Sequence, residues 1–466
     1  MANLEIAIVG SGPSGFYAAH GLLNSGVDAV VHMFDRLPTP YGLVRSGVAP
    51  DHQHIKQVVR VFEGVARNPM FSFIGNVEVG KDISLDALRG RYDAVILAYG
   101  ASGGLPLEVP GADMQQSLTA AQFVGWYNGH PDYVDLPVCF DHETAVIVGH
   151  GNVAIDMARV LLSDHDRLSK TDIADHALEI LRESRIRTVH LVGRRGPLEA
   201  SFTTAELREL LLGIDGISAK INVEALILGP EETAWIEQPA NSLVQRNVRV
   251  LKEAASKMSA SVGEKEVHLN FLMSPAAIRG NDRAQSIEFV RNTLVGSVAN
   301  RKAVATGERF SIPAGLVISS IGFRGRPLAD IPFDDNLGVV LNVSGRVTAV
   351  VIEGMAPLYV TGWIKRGPTG VIGTNRADAV ETVQCLLEDF RDGRLSARPP
   401  KHGTNLTFPV TLVDFEGWSR IDEAERAAGS HSGRPRQKFV DIDQMLKVAS
   451  AESHLRAAGK GVAAIR

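Results

Sequence analysis

Two stretches carry residue types whose spacing suits the same chemistry twice. Residues 4–23, LEIAIVGSGPSGFYAAHGLL, run from an apolar strand pattern through Gly10-x-Gly12-x-x-Gly15 into a helical pattern. Gly10 permits a tight turn, Gly12 lets the backbone approach a pyrophosphate, and Gly15 lets the helix lie close on a sheet. The helix start then presents its N–H groups to phosphate. The next strand ends at Asp35, twenty residues beyond Gly15, where a carboxylate accepts the hydroxyls of an adenosine ribose and disfavours a 2′-phosphate. Residues 144–162, TAVIVGHGNVAIDMARVLL, repeat the pattern as Gly149-x-Gly151-x-x-Ala154. The strand that follows them, TVHLVGRRGP, ends in Arg194 and Arg195 rather than an acid. Guanidinium forks match phosphate oxygens, so this site suits NADP and the first suits FAD or NAD. A resident FAD beside a diffusible NADP(H) would allow hydride to pass between them.

The elements that must position these residues follow from periodicity and turn signals. Residues 92–101, YDAVILAYGA, read as a buried parallel strand closing the first unit. Pro106 and Pro110 then mark a crossover. Between the second fingerprint and its next strand, residues 163–187 read as a short helix with Ile173, Ala177, Ile180 and Leu181 at helical spacing. A strand in AGLVISSIGFRGRP (314–327) closes the second unit, and the chain then returns to the first through a strand, a glycine-rich turn and a helix near Thr374. That helix N-terminus suits the flavin edge where negative charge collects on reduction. The tail from about 391, with ARPPKHG and GSHSGRPRQK, reads as loop-rich wrapping. The expected fold is α/β: two Rossmann-like dinucleotide-binding domains of the three-layer ββα type, as in two-dinucleotide-binding flavoproteins. The expected domains are 1–106 with 325–466 for FAD, discontinuous, and 107–324 for NADP.

Bulk composition narrows the function classes. At 466 residues the chain is too long for one ordinary domain, and 45% hydrophobic with 22% charged residues is ordinary globular composition. A net charge of −5 argues against a nucleic-acid binder. The two cysteines, Cys139 and Cys385, cannot build a zinc site, an iron–sulfur cluster or a CxxC redox motif, so no metal is expected and thioredoxin-reductase chemistry is excluded. No apolar run reaches the roughly 18 residues of a membrane span. The first strand begins close to Met1, so the cytoplasm is the expected compartment.

PYGLVRSGVAPDHQHIK (40–56), GHGNVAIDMAR, VGRRGP, SFTTAELREL and WIKRGPTGVIGTNRADA together resemble the adrenodoxin-reductase-like ferredoxin–NADP(+) reductases, in order from residue 4 to about 446. The resemblance implies an FAD enzyme that takes hydride from NADPH and passes single electrons to a ferredoxin- or adrenodoxin-type iron–sulfur protein. It places Gly10, Gly12, Gly15 and Asp35 at the FAD adenosine and pyrophosphate, and Leu43 and Val44 along the flavin. Asn152 and Val153 fall at the NADP pyrophosphate beside Gly149 and Gly151. Arg194 and Arg195 become the 2′-phosphate clamp and Glu206 the contact to the nicotinamide-side ribose. Trp363, Gly370 and Ile372 lie around the flavin and the carboxamide. It also makes His52 and Glu209 the catalytic pair near the nicotinamide. Gln53 departs from the proline the family often has after this histidine.

The residues themselves leave alternatives open. His52 suits the first turn of a helix capped by Asp51; Glu206 and Glu209, three apart, suit a solvated helix face; Trp363 suits core packing or stacking on a cofactor. A flavoprotein with a quinone, oxygen or glutamate-synthase-like acceptor remains the alternative, as does an NADP-sensing regulator without flavin. An acidic ferredoxin would dock on basic residues, with Arg182, Arg185, Arg187, Arg208, Lys365 and Arg366 as candidates.

Overall fold

The computed structural model describes residues 4–258, 264–348, 352, 354–395 and 406–451. ARPPKHG (397–403) lies outside them. The chain forms two compact units, one of Met1–Gly103, Asn128–Pro131 and Phe323–Arg466, the other of Gly104–Tyr127 and Asp132–Gly322. The short return of Asn128–Pro131 to the first unit has no signal in the sequence.

The first unit starts as strand β1 (Leu4–Val9), helix α1 (Pro13–Leu23), β2 (Ala29–Phe34), β3 (Phe71–Ile74) and β4 (Ala94–Leu97). The second contains β5 (Ser117–Thr119), β6 (Thr144–Val148), α2 (Asn152–Leu162), β7 (Thr188–Val192), α3 (Thr204–Leu212), β8 (Ile217–Ile221), α4 (Ser242–Lys257) and β9 (Lys265–Asn270). It continues with β10 (Met273–Gly280), β11 (Ala284–Val295), β12 (Lys302–Pro313) and β13 (Leu316–Ser319). The chain then completes the first unit with β14 (Leu358–Val360), the single turn α5 (Trp363–Arg366), α6 (Thr374–Arg391), α7 (Phe415–His431) and α8 (Ile442–Ser450).

In the first unit the parallel order is β14-β4-β1-β2-β3, extended beyond β14 by the antiparallel pair Asn342–Val343 and Arg346–Val347. Strand alternation divides its side chains between two cores. Leu4, Ile6 and Ile8 pack with Phe16, Ala379, Trp418 and Met445, while Ala7 and Val9 pack with Phe34, Leu97 and Ile364. Burial on both faces explains why β1 is a nearly unbroken apolar run rather than an alternating one. Each fully buried aliphatic side chain contributes about 1.5–3 kcal/mol.

In the second unit the parallel order is β5-β13-β6-β7-β9-β8. Val146, Val148, Val192 and Val317 from that sheet pack against Met273, Ile278, Ile287 and Phe289 of the antiparallel meander β10-β11-β12. This is the three-layer ββα arrangement.

Two details depart from expectation. Residues 163–187 hold two short helices, His165–Leu168 and Asp175–Arg182, with only Ala177 and Leu181 buried in the second. The described part of the tail is not loop-rich: α7 and α8 are well-formed helices whose Trp418, Ile421, Met445 and Ala449 join the first core.

Candidate functional site

In the first unit the glycine turn is forced by close packing. Gly10 has φ +107°, and any side chain there would strike the Ala98 carbonyl; its N–H donates to Phe34 O at 2.8 Å. A side chain on Gly15 would strike the Gly10 carbonyl, so helix and turn touch directly. Gly12 is different: a Cβ there would meet nothing within 4 Å. It is the N-cap of α1 and supplies no side-chain cap, leaving the first helical N–H groups to an external acceptor. That is the cradle a pyrophosphate needs.

Asp35 closes the turn. Its Oδ2 accepts from Ser11 N at 2.9 Å and Ser11 Oγ at 2.5 Å, and its Oδ1 accepts from Leu37 N at 3.0 Å. Spare lone pairs on each oxygen leave room for ribose hydroxyls. Beside it lies a cleft bordered by Thr39, Gly42, Arg45, Gly129, His130 and Met445. Leu43 is exposed, whereas Val44 is in the core at 1% exposure, leaving its backbone rather than its side chain for a ligand. His52 is buried (4% exposed) and is itself the N-cap of a one-turn helix, Gln53–Lys56, without a side-chain capping bond. Asp51 lies in the preceding turn, so the expected Asp51 cap is not formed.

The segment expected beside the flavin gathers around Asp378, which sequence reading missed. Its Oδ2 accepts from Thr361 Oγ1 at 3.0 Å and from Gly362 N, and its Oδ1 pairs with Lys365 Nζ at 3.0 Å. This carboxylate fixes the left-handed Gly362 (φ +80°) just before Trp363. The Trp363 indole Nε1 is buried without a hydrogen-bond partner, an orphan donor that an acceptor on a bound flavin ring would satisfy. Gly370 also has φ +80° and abuts the Thr374 side chain, and Ile372 packs against the core. Ser14 Oγ bonds to Asn375 Oδ1 at 3.0 Å, so the starts of α1 and α6 converge. Lys365 is no docking residue: it is 9% exposed and also pairs with Glu381 at 2.7 Å. Arg366 is likewise turned inward onto Asn375 at 2.8 Å.

The second unit repeats the turn with a different edge. Gly149 has φ +143° and abuts the Ser320 carbonyl, as Gly10 abuts that of Ala98. Gly151 is the uncapped N-cap of α2, and Val153 sits half-buried in its first turn. Asn152 Oδ1 accepts from Thr203 N at 2.7 Å, hanging the start of α3 on the glycine turn. His150, between the glycines, is pushed down to about 4 by burial, and its Nε2 lies 3.2 Å from Leu191 O. The turn therefore carries no imidazolium at neutral pH.

Arg194 and Arg195 follow β7 with exposed side chains, and no carboxylate pairs with them among the described residues. Their backbone is anchored: Asn292 Nδ2 donates to Arg194 O at 2.8 Å, and Leu272 N to Arg195 O at 3.1 Å. Two guanidiniums without a carboxylate partner on an anchored backbone have the donor geometry that suits an anion's oxygens. Asn292 and Leu272 lie far along the chain from the arginines and outside every motif quoted above, so their supporting role is not legible in the sequence. Glu206 and Glu209 both project from α3 toward the buried Arg159 of α2.

Comparison with known proteins agrees with this geometry. Residues 4–212 match the family described as Pyridine nucleotide-disulphide oxidoreductase. The chain is 44% identical over 463 residues to the NADPH-ferredoxin reductase FprA of Mycobacterium tuberculosis, covering 96% of this chain and 99% of the relative. It is 40% identical to the mitochondrial NADPH:adrenodoxin oxidoreductase of Salvelinus fontinalis, covering 96% and 91%. The solved structure of Mycobacterium tuberculosis FprA in complex with NADPH superposes with a TM-score of 0.88 at 42% identity, over 96% of this chain and 99% of that one.

The chain belongs to the adrenodoxin-reductase-like family of NADPH–ferredoxin reductases.

Within that family the disulphide of the broader family's description has no counterpart among the described residues. Cys139 and Cys385 are both free and lie in different units. Nor, among the described residues, is any helix long and apolar enough to cross a membrane.

Proposed function

We propose that this chain oxidises NADPH at its second unit and delivers single electrons, by way of FAD held in the first, to a ferredoxin- or adrenodoxin-type iron–sulfur protein. The observation that carries the reading is the contrast at the two strand ends. An acid already tied to its glycine turn suits a nucleotide without a 2′-phosphate, and two unpaired arginines on anchored backbone suit one that has it.

Bound FAD would supply the exchange between a two-electron donor and one-electron acceptors. Gly10 would make the turn beneath its pyrophosphate, Gly12 and Gly15 would open the helix start whose backbone N–H groups meet it, Asp35 would accept its ribose hydroxyls, and the orphan Trp363 N–H would find an acceptor on its ring system. Leu43, the Val44 backbone, Gly370 and Ile372 would border the same ring. In the second unit Gly149, Gly151, Asn152 and Val153 seat the NADP pyrophosphate, Arg194 and Arg195 clamp the 2′-phosphate, and Glu206 accepts from the nicotinamide-side ribose. Hydride transfer needs no general base, only close approach of donor and acceptor carbons and nitrogens. His52 and Glu209 therefore orient the nicotinamide, and replacing either slows turnover without abolishing it. The domain assignment, FAD to 1–106 with 325–466 and NADP to 107–324, and a cytoplasmic location belong to the same reading.

The test is NADPH-driven cytochrome c reduction by yellow, FAD-containing protein, with and without a low-potential ferredoxin. A saturable increase with ferredoxin is expected. Flavin reduction by NADPH without any ferredoxin effect would move the acceptor to a quinone, oxygen or another protein. Colourless protein that binds NADP would leave only a sensor.

A further inference from the structure

Arg159, on the inner face of α2, is wholly out of solvent. Arginine does not shed its proton in proteins, so a buried guanidinium must be met by anions or it is strongly destabilising. Three carboxylates surround it. Asp156 Oδ1, one turn earlier in α2, lies 2.7 Å from Nη2. From α3, Glu206 Oε2 lies 3.5 Å from Nη1 and Glu209 Oε1 lies 3.9 Å from Nε. Glu209 also pairs with Arg167 at 3.0 Å.

Two of these partners are the residues assigned above to the nicotinamide half of NADP. The first turn of α3, which carries Glu206, is tied to the glycine turn by the bond from Thr203 N to Asn152, and Asn247 accepts from Thr204 Oγ1 at 2.6 Å. Backbone anchoring fixes where α3 starts. It does not fix the rotamer of a three-torsion side chain such as Glu206; the buried Arg159 guanidinium, held by Asp156 and 3.5 Å from one Glu206 oxygen, restrains it.

We propose that Arg159 is a positioning residue for the nicotinamide-side ribose. It holds the Glu206 carboxylate in one orientation. This rests on the reading of the second unit as the NADP site. Arg159 itself acts through Glu206 and needs no contact with the nucleotide.

The experiment compares two ligands on the FAD-containing protein by calorimetric titration. NADP+ has the nicotinamide ribose; adenosine 2′,5′-bisphosphate keeps the 2′-phosphate and lacks that ribose. Arg159→Met is expected to weaken NADP+ about tenfold and to leave the bisphosphate within about twofold. Arg159→Lys, which keeps charge without the fork, falls between. In a Glu206→Gln background Arg159→Met should add little, because the two changes remove one interaction. Equal weakening of both ligands would reduce Arg159 to a structural role, and unchanged NADP+ binding or full additivity with Glu206→Gln would also overturn the proposal. If the Met variant does not fold, the Lys variant decides by the same ratio. If the parent protein binds neither ligand, it is the NADP reading of this unit that fails.

Discussion

At the end of β2 in the first unit, Asp35 holds Ser11 of its own glycine turn through both backbone and hydroxyl. At the end of β7 in the second, Arg194 and Arg195 stand exposed, held only through their carbonyls. The backbone beneath is the same in both places. Gly10 and Gly149 each adopt positive φ against the carbonyl just past a neighbouring strand, and Gly12 and Gly151 each leave a helix start uncapped. One backbone solution is thus reused, and in the proposed function a few side chains at a strand end decide which nucleotide it takes. The first edge is internally satisfied, as suits a resident cofactor. The second is left open, as suits a ligand that comes and goes.

The sharpest way to break this comparison is to break one turn at a time. Gly10→Val should be the most damaging change, because a positive-φ position costs about 1–3 kcal/mol for a non-glycine residue before the clash with Ala98 is added. The protein should lose its flavin and unfold at lower temperature. Gly149→Val should lose NADP+ binding yet stay yellow; if it bleaches as readily, the two turns do not serve separate nucleotides.

Next in size is the arginine edge. Each charged hydrogen bond contributes about 1.5–3 kcal/mol, so Arg194→Ala with Arg195→Ala should weaken NADPH about a hundredfold or more. NADH affinity should hardly change. Equal loss of both in steady-state kinetics would remove the 2′-phosphate role.

Asp35→Ala comes third. It deprives Ser11 of its acceptor and the ribose of its own, and should weaken FAD retention about tenfold in an equilibrium dialysis. Retention equal to the parent protein would mean that the Ser11–Asp35 link serves folding alone.

The smallest expected effect is acid sensitivity. Burial lowers His150 and His190 in the second unit to about 4, against His32 in the first. A histidine lowered on folding stabilises fully above its unfolded value near 6.5. That stabilisation is lost progressively as pH falls from there toward 4. The second unit should therefore lose stability more steeply between pH 6.5 and 4, and His150→Gln should flatten its thermal-denaturation profile. An unchanged slope would show that His150 protonates without cost.

What was hidden from sequence reading has identifiable causes. Helix α7 gives a weak helical signal because its apolar stripe, Trp418 and Ile421, is interrupted one turn later by Glu425. In the structure Glu425 is fully buried. Burial alone would push its carboxyl up, and Arg45 and Arg436 reverse this and hold it low. Arg45 lies 380 residues away in sequence and binds both Glu425 oxygens, at 2.8 and 2.5 Å. A periodicity search scores such a residue as a break in the helix. Arg159 and Asp378 are invisible to such a search for a related reason: each is a charge with partners on another element, Glu206 for Arg159 and Lys365 for Asp378.

The amino-acid sequence by itself determined the two glycine turns, the acid and the arginines at the strand ends, and hence the two-nucleotide plan. Those features are local: steric demands on φ and the choice of charge at one position act over a few residues. Only the tertiary structure decided which charges are buried and paired, because desolvation and Coulomb attraction depend on neighbours that folding brings from distant segments. It turned Lys365 from a candidate surface cation into a buried partner of Asp378. It also left Arg194 and Arg195 as free guanidiniums on a backbone fixed by the meander.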